Sequence, residues 1–383
     1  MKRSNEDTHS VDASSTKRPK VDSDQDEGSG EGASAGSSGR ERVLLVGSGN
    51  WGSAIAKIMG ENIDEHPDLF EPVANMWVFE EEVDGRKLSE IINETHENIK
   101  YLPGIKLPNS IRAVPDLVAA AEGATIVVFV VPHQFIGKVC DQLRGRISSR
   151  ARAISLIKGG MEVSPTGFSL LTTQIEECLG IPCSVLMGAN IANEVARGDF
   201  SEATIGTRDP ETGVVLSKLF DRPSFKIDVV PDVEAVELCG TLKNIVAVAA
   251  GLCDGLGFGN NTKSAVMRIG LLEMKKLVMH FFPKSDVFTF FESCGVADLI
   301  ATCMGGRNRK VAKAFAAANG SKSFEELEAE LLNGQKLQGT LTAQEVFTIL
   351  DHHKMTEEYP LFTKVYRIAY EGLPPAEITN LRP

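Results

Sequence analysis

The sequence predicts an α/β protein in two parts, a doubly wound parallel sheet over residues 41–231 and an all-helical domain over residues 232–383, behind a disordered tail at residues 1–40. Three observations carry that expectation. From Glu41 onward, continuous apolar runs alternate with helix-like periodic segments, which suits strands buried on both faces of a parallel sheet. After about Pro231 the strand-like runs stop and only long helical patterns follow. Composition, finally, changes abruptly near Arg40.

Before Arg40 the chain has no Leu, Ile, Phe, Tyr or Trp, so it has little to bury against the entropy of ordering. Its acids argue against a mitochondrial transit peptide, and it lacks the apolar run of a secretory signal. Thr16–Asp22 reads either as a short basic nuclear-import signal or as a solvated charge run. With 383 residues, 42% hydrophobic and 24% charged, the whole chain is expected to be soluble and globular. A net charge of −12 leaves no overall basic field, so no nucleic-acid partner is expected, although a local basic pocket for a small anion stays open. Thr125–Pro132, taken as the longest strongly apolar stretch, falls far short of the ~18 residues of a membrane span, so no membrane partner is expected. Seven cysteines without a Cys-x-x-Cys pair read as reduced thiols of a cytosolic core.

The first strand, Arg42–Gly47, runs straight into Gly47-Ser48-Gly49-Asn50-Trp51-Gly52 and then a helix of small residues, Ser53–Ala56. A Gly-x-Gly-x-x-Gly turn between strand and helix is the context of a dinucleotide site: Gly47 makes the tight turn, Gly49 admits pyrophosphate to the backbone, and Gly52 lets helix and strand pack closely. The second strand, Met76–Phe79, ends in Glu80–Glu82, where an acid is expected to hold the adenosine ribose; a 2′-phosphate would be repelled there, favouring NAD over NADP. Spacing from Gly52 to Glu80 exceeds the usual ~20 residues, and Arg86 lies near in sequence. Thr125–Pro132 is the next strand, followed by a bend at His133–Phe135, so that Phe79 and Phe135 either wall an adenine site or pack in the core. No histidine spacing suggests a metal site. Ala153–Ile157 delivers Lys158 to the carboxyl edge of the sheet, where such folds place their ligands, and Ser184–Gly188 completes the strand-like runs.

In the second half, helices are expected at 233–256, 262–282, 309–318, 323–332 and 341–352. Lys243 and Asn244 interrupt an otherwise apolar helix. Such a lysine either loses basicity through desolvation and exchanges protons near neutral pH, or snorkels to solvent. Asp298 and Thr302 share a face if their segment is helical. Gly305, Gly306, Arg307 and Asn308 offer backbone N–H groups and a guanidinium suited to a phosphate monoester, or simply a solvated basic helix start. Asn333–Gly339 is a polar loop that either closes over a cofactor or is a plain turn.

Taken together, Val46–Ala56, Phe129–Phe135, Leu186–Ala192, Leu242–Val248, Asp254–Lys263, Glu292–Asp298, Gly305–Lys310 and Asn333–Gly339 resemble the soluble eukaryotic type of the NAD-dependent glycerol-3-phosphate dehydrogenase family. That resemblance implies a Rossmann-like sheet with a helical domain of the 6-phosphogluconate-dehydrogenase type, and reversible hydride transfer between NADH and dihydroxyacetone phosphate, yielding sn-glycerol 3-phosphate. It implies Lys243 as proton donor and base, with Lys158 and Asp298 beside it. Asn190, Lys158, Asn244, Thr302, Arg307 and Asn308 would line the substrate cleft, the last two on the phosphate. Gly47, Ser48, Gly49, Asn50, Trp51, Gly52, Phe79, Phe135, Lys158, Arg307 and Gln338 would contact NAD. A homodimer in the cytoplasm is implied as well. Where the family pattern suggests an acidic continuation after Lys158, this chain has Gly159-Gly160-Met161, so the neighbouring loop is expected to differ. Two rivals stay open on the residues alone: a dehydrogenase of the same plan acting on a hydroxy acid, and a non-catalytic NAD-binding scaffold.

Overall fold

Eight strands form one sheet: β1 (Val43–Val46), β2 (Ala74–Trp77), β3 (Ile111–Val114), β4 (Ile126–Phe129), β5 (Arg152–Ser155), β6 (Cys183–Met187), β7 (Ser201–Gly206) and β8 (Phe225–Val230). The computed structural model describes residues 39–164, 167–332 and 336–381; the import-like segment at 16–22, nearly all of the tail and the start of the 333–339 loop lie outside the described residues. The spatial order is β8-β7-β6-β5-β4-β1-β2-β3. β1 to β6 are mutually parallel, whereas β7 pairs antiparallel with β6 and β8 runs parallel to β7. The central strands β1, β4 and β6 are buried at every position, as their unbroken apolar runs require. Between β1 and β4 the strand order reverses, which opens a crevice at the carboxyl ends of the strands.

Three strands were not expected. β3 and β8 form the sheet's two edges and alternate buried with exposed residues, and β7 carries Ser201, Glu202 and Gly206. None offers the continuous apolar run that marks an interior strand, and β7 with β8 makes the sheet mixed rather than purely parallel.

Beyond the sheet, α2 (Val233–Gly255) is the axis of the helical half, after α1 (Asn50–Glu65) of the first half. Around it lie α3 (Asn260–Phe281), α4 (Asp298–Met304), α5 (Gly306–Ala317), α6 (Phe324–Leu332), α7 (Gln338–His352) and α8 (Pro360–Tyr370). The expectation that no window reaches membrane-spanning length was wrong, because α2 is long and apolar enough by that measure. Its most apolar window is wholly buried within the fold, and a helix apolar all round is what the core of a large helical half calls for. Small residues let the neighbours close in: a Cβ on Gly251 would lie 2.5 Å from the Arg309 carbonyl oxygen, and one on Gly255 would lie 2.3 Å from that of Lys313, so α5 rides directly on α2. At its start α2 meets the sheet beside the end of β7, where a Gly206 Cβ would come 3.0 Å from the Val233 Cα. Further along it passes the end of β6, where a Gly240 Cβ would come 2.6 Å from Met187 Sδ.

Candidate active site

The turn after β1 is built as its glycines suggested. Gly47 takes φ +120° with the Val130 carbonyl oxygen 2.7 Å from where a Cβ would stand, and a Gly52 Cβ would fall 2.4 Å from the Gly47 oxygen. Gly49, the residue capping α1, has nothing among the described residues within 4 Å of a Cβ position and no side-chain cap. The free first turn of α1 thus opens on a clear space at the carboxyl edge of the sheet, the setting for a pyrophosphate. Asn50 spends its side-chain amide on the Tyr101 carbonyl (2.7 Å) and Asn193 Oδ1 (2.8 Å), leaving its backbone for a ligand. Trp51 turns its ring into the core, edge-on to Phe225 at 6.3 Å. Phe79 and Phe135 follow β2 and β4, the strands on either side of β1, and are 69% and 47% exposed; they flank the turn and are not core aromatics.

Two of the three acids after β2, Glu80 and Glu81, have partners within the fold, while Glu82 is exposed. Glu80 accepts from Ser89 N (3.1 Å) and Ser89 Oγ (2.5 Å) at the start of the helix Leu88–Thr95, and Glu81 accepts from Lys100 and Tyr101 Oη, each at 2.8 Å. Both carboxylates are therefore committed within the fold, and Arg86 is paired with Glu94. Local helix starts and cations claim these charges first.

Lys243 is only 5% exposed, so the snorkelling alternative does not hold. Its Nζ donates to Asp298 Oδ1 and to Thr302 Oγ1 (2.8 Å). Lys158 Nζ donates to the other oxygen, Asp298 Oδ2 (3.1 Å), and to the Gly188 carbonyl (2.6 Å). One carboxylate thus holds two ammonium groups. Burial pulls the Lys243 amine down to about 8, the neighbouring Lys158 charge adds to the fall, and Asp298 opposes it. α4 begins at Asp298, and its pitch sets Thr302 on the same side of Lys243, as the spacing predicted.

Asn190 bonds the Glu202 carbonyl (2.9 Å) through Nδ2, while its Oδ1 is buried with no partner among the described residues. Asn244 and Asn308 are turned toward each other. Asn308 Nδ2 donates to Asn244 Oδ1 (2.9 Å), Asn308 Oδ1 accepts from Gly339 N (3.0 Å), and Asn244 Nδ2 bonds the Thr241 carbonyl (3.1 Å). Both amides expected on substrate also tie α2, α5 and α7 together. Arg307 sits exposed on the first turn of α5, whose cap Gly305 provides no side-chain acceptor. Gln338 opens α7 with Oε1 2.8 Å from where a Gly159 Cβ would be, and a Gly160 Cβ would collide with the His133 ring at 2.3 Å. Both glycines take φ +91°, so the residues after Lys158 are glycines because the chain is pinched between His133 and Gln338.

Two features escaped the sequence reading. Asn98 lies beneath the glycine turn and bonds the Ser48 carbonyl. Asp254, at the end of α2, accepts from Lys263 (2.9 Å) and Arg309 (2.5 Å), fastening α3 and α5 to it. No motif spacing marks either, because their partners are distant in sequence or lie on different helices.

Residues 42–213 match the family model described as NAD-dependent glycerol-3-phosphate dehydrogenase N-terminus, and residues 232–380 match that of its C-terminus. The chain belongs to the NAD-dependent glycerol-3-phosphate dehydrogenase family. It is 59% identical to the cytoplasmic glycerol-3-phosphate dehydrogenase [NAD(+)] of Rattus norvegicus over 338 residues, 88% of this chain and 96% of that protein. Against the Homo sapiens protein of the same description it is 58% identical over 342 residues, 89% and 97% of the two chains. Among solved structures, the glycerol-3-phosphate dehydrogenase of Saccharomyces cerevisiae superposes with a TM-score of 0.85 at 46% identity, covering 89% of this chain and all but 1% of that one. The Coxiella burnetii glycerol-3-phosphate dehydrogenase gives 0.72 at 27% identity over 89% and 98% of the chains. The two-part fold with a helical C-terminal half is thus shared across the family.

Proposed function

We propose that the protein reversibly transfers hydride between NADH and dihydroxyacetone phosphate, giving sn-glycerol 3-phosphate and NAD, with the sheet over 41–231 holding the dinucleotide and the helical part over 232–383 holding the substrate. The observation that carries the reading is a buried lysine, Lys243, whose amine is set near 8 and is joined through Asp298 to Lys158, which follows β5 on the carboxyl edge where the glycine turn also lies. The open face of Gly49, the uncapped start of α1 and the exposed rings of Phe79 and Phe135 fit a dinucleotide. When bound, the nicotinamide supplies hydride in one direction and takes it in the other. Lys243 gives its proton to the ketone oxygen as charge develops there, and takes it back in reverse. Thr302 and Asp298 aim the Lys243 amine, and the Lys158 ammonium stabilises the developing oxyanion. Arg307 and the open N-terminus of α5 bind the phosphate, with Asn244, Asn308 and Asn190 lining the cleft and Gln338 closing on the dinucleotide side.

The relatives' names place them in the cytoplasm, and we assign this protein there; a homodimer without nucleic-acid or membrane partners completes the proposal. The deciding experiment is oxidation of NADH, with NADPH in parallel, by the purified protein given dihydroxyacetone phosphate. Turnover with NADH is expected. A folded sample that binds NADH but reduces only 2-hydroxy-acid precursors, or nothing, would overturn the assignment.

A further inference from the structure

Asn98 is completely buried in a segment, Asn98–Tyr101, that no part of the chemistry has so far used. Its Nδ2 donates to the Ser48 carbonyl (2.8 Å) and to Ser53 Oγ (2.9 Å), while Ser53 Oγ itself donates to the same carbonyl (3.2 Å). Two donors therefore pull the Ser48 oxygen inward. A trans peptide carries its C=O and N–H on opposite sides, and the described residues contain no cis bond, so the N–H of Gly49 on that peptide must point outward. Outward is the clear space at Gly49, and among the described residues nothing accepts the Gly49 N–H. The same segment reaches the adenosine side of the crevice. Asn98 Oδ1 accepts from Tyr101 N (3.2 Å), the Tyr101 carbonyl accepts from Asn50, and Tyr101 Oη donates to Glu81 just past Phe79.

We propose that Asn98 is a positioning residue for the dinucleotide: by fixing the Ser48–Gly49 peptide it presets the Gly49 N–H toward the pyrophosphate, touching no ligand itself. The inference rests on reading the glycine turn as the dinucleotide site. Without Asn98, only the longer bond from Ser53, itself no longer held by Asn98, restrains that peptide, and the bound orientation has to be selected on binding, which weakens the complex. The test compares wild type, Asn98→Ala and Ser53→Ala by NADH fluorescence titration, ADP-ribose and adenosine competition, and steady-state kinetics. For Asn98→Ala the dissociation constants of NADH and ADP-ribose are expected to rise about tenfold, the loss of a hydrogen bond to a buried carbonyl. Adenosine, which lacks the pyrophosphate, should bind as before, and both kcat at saturating NADH and KM for dihydroxyacetone phosphate should stay within about twofold. Ser53→Ala removes the longer of the two bonds to the Ser48 carbonyl and leaves that of Asn98, so it should weaken NADH only a few-fold in the same pattern; it serves alone if Asn98→Ala does not fold. Unchanged NADH affinity in folded variants, or an equal loss for adenosine, would overturn the proposal. Failure of the wild type itself to bind NADH or ADP-ribose would instead refute the dinucleotide site.

Discussion

At the scale of single residues, Lys243 is defined by what surrounds it rather than by its own chemistry. An amine sealed in an apolar helix and held near 8 is half-charged at a pH where an ordinary lysine is fully so. With Lys243 as the proposed proton donor, the rate of dihydroxyacetone phosphate reduction should be flat below about pH 8 and fall above it, while glycerol 3-phosphate oxidation should rise through the same range. Asp298 opposes the downward shift, so Asp298→Asn should move both limbs to lower pH. Lys243→Ala should cut turnover by about 10² to 10⁴ and leave NADH titration unchanged; equal loss of NADH binding would make it a structural residue instead. This trio was legible in the sequence, because Lys243 breaks an apolar run and Asp298 and Thr302 stand four apart. Asn98 was not, since a lone polar residue in an aperiodic loop gives no sign of reaching a carbonyl 50 residues earlier.

Among the helices, a recurring device hides their starts. α8 has no side-chain cap from its own flank; Glu273 of α3 caps it instead, accepting from Leu361 N (2.8 Å) and Phe362 N (2.9 Å). Likewise Glu237 of α2 accepts from Leu171 N (2.7 Å) and Thr172 Oγ1 (2.6 Å) at the start of the helix Leu171–Leu179. At its own start α8 carries Pro360 as the one local signal, and its 11 residues make a much shorter pattern than the 23 of α2 and the 22 of α3, whose bounds the periodicity gives within a few residues. Burial also pushes Glu273 up to about 7 against the pull of those two amides. Its proton is thus held more tightly in the folded than in the unfolded chain. The associated stability is complete below about pH 4.5 and is lost as pH rises through 7. Glu273→Gln should flatten the fall in urea midpoint between pH 5 and pH 8; an unchanged slope would place the titrating group elsewhere.

For the molecule as a whole, the two-part plan was visible in the change from unbroken apolar runs to long amphipathic ones. What escaped notice were the parts whose pattern depends on position in the assembly: edge strands that alternate, and a core helix apolar enough to pass for a membrane span. The contact of α5 with α2 makes a prediction at this scale. Gly251→Val would drive a side chain into the Arg309 backbone, costing about 1 to 3 kcal/mol and displacing the Arg307 end of α5. Thermal unfolding should record the loss of stability, and KM for dihydroxyacetone phosphate should rise more than KM for NADH. A variant matching wild type in both would mean the two helices can part without consequence.

The reversed direction of β7 and β8 sets a distance. Because these strands run against the others, β8 ends on the side of the sheet away from the crevice, and α2 starts there beside the end of β7. Rising ~1.5 Å per residue, the helix needs the run from Val233 to Lys243, ~15 Å, to climb back to the level of the strand tips. That is close to the ~17 Å spanned by the six residues of β7 alongside it. Strand and helix act as matched gauges, so the height of the Lys243 amine relative to the strand tips is fixed by chain lengths remote from the lysine's own contacts. Inserting a single turn of helix ahead of Lys243 would lift the amine by ~5.4 Å and disarm the site while every residue in contact with the ligand kept its identity.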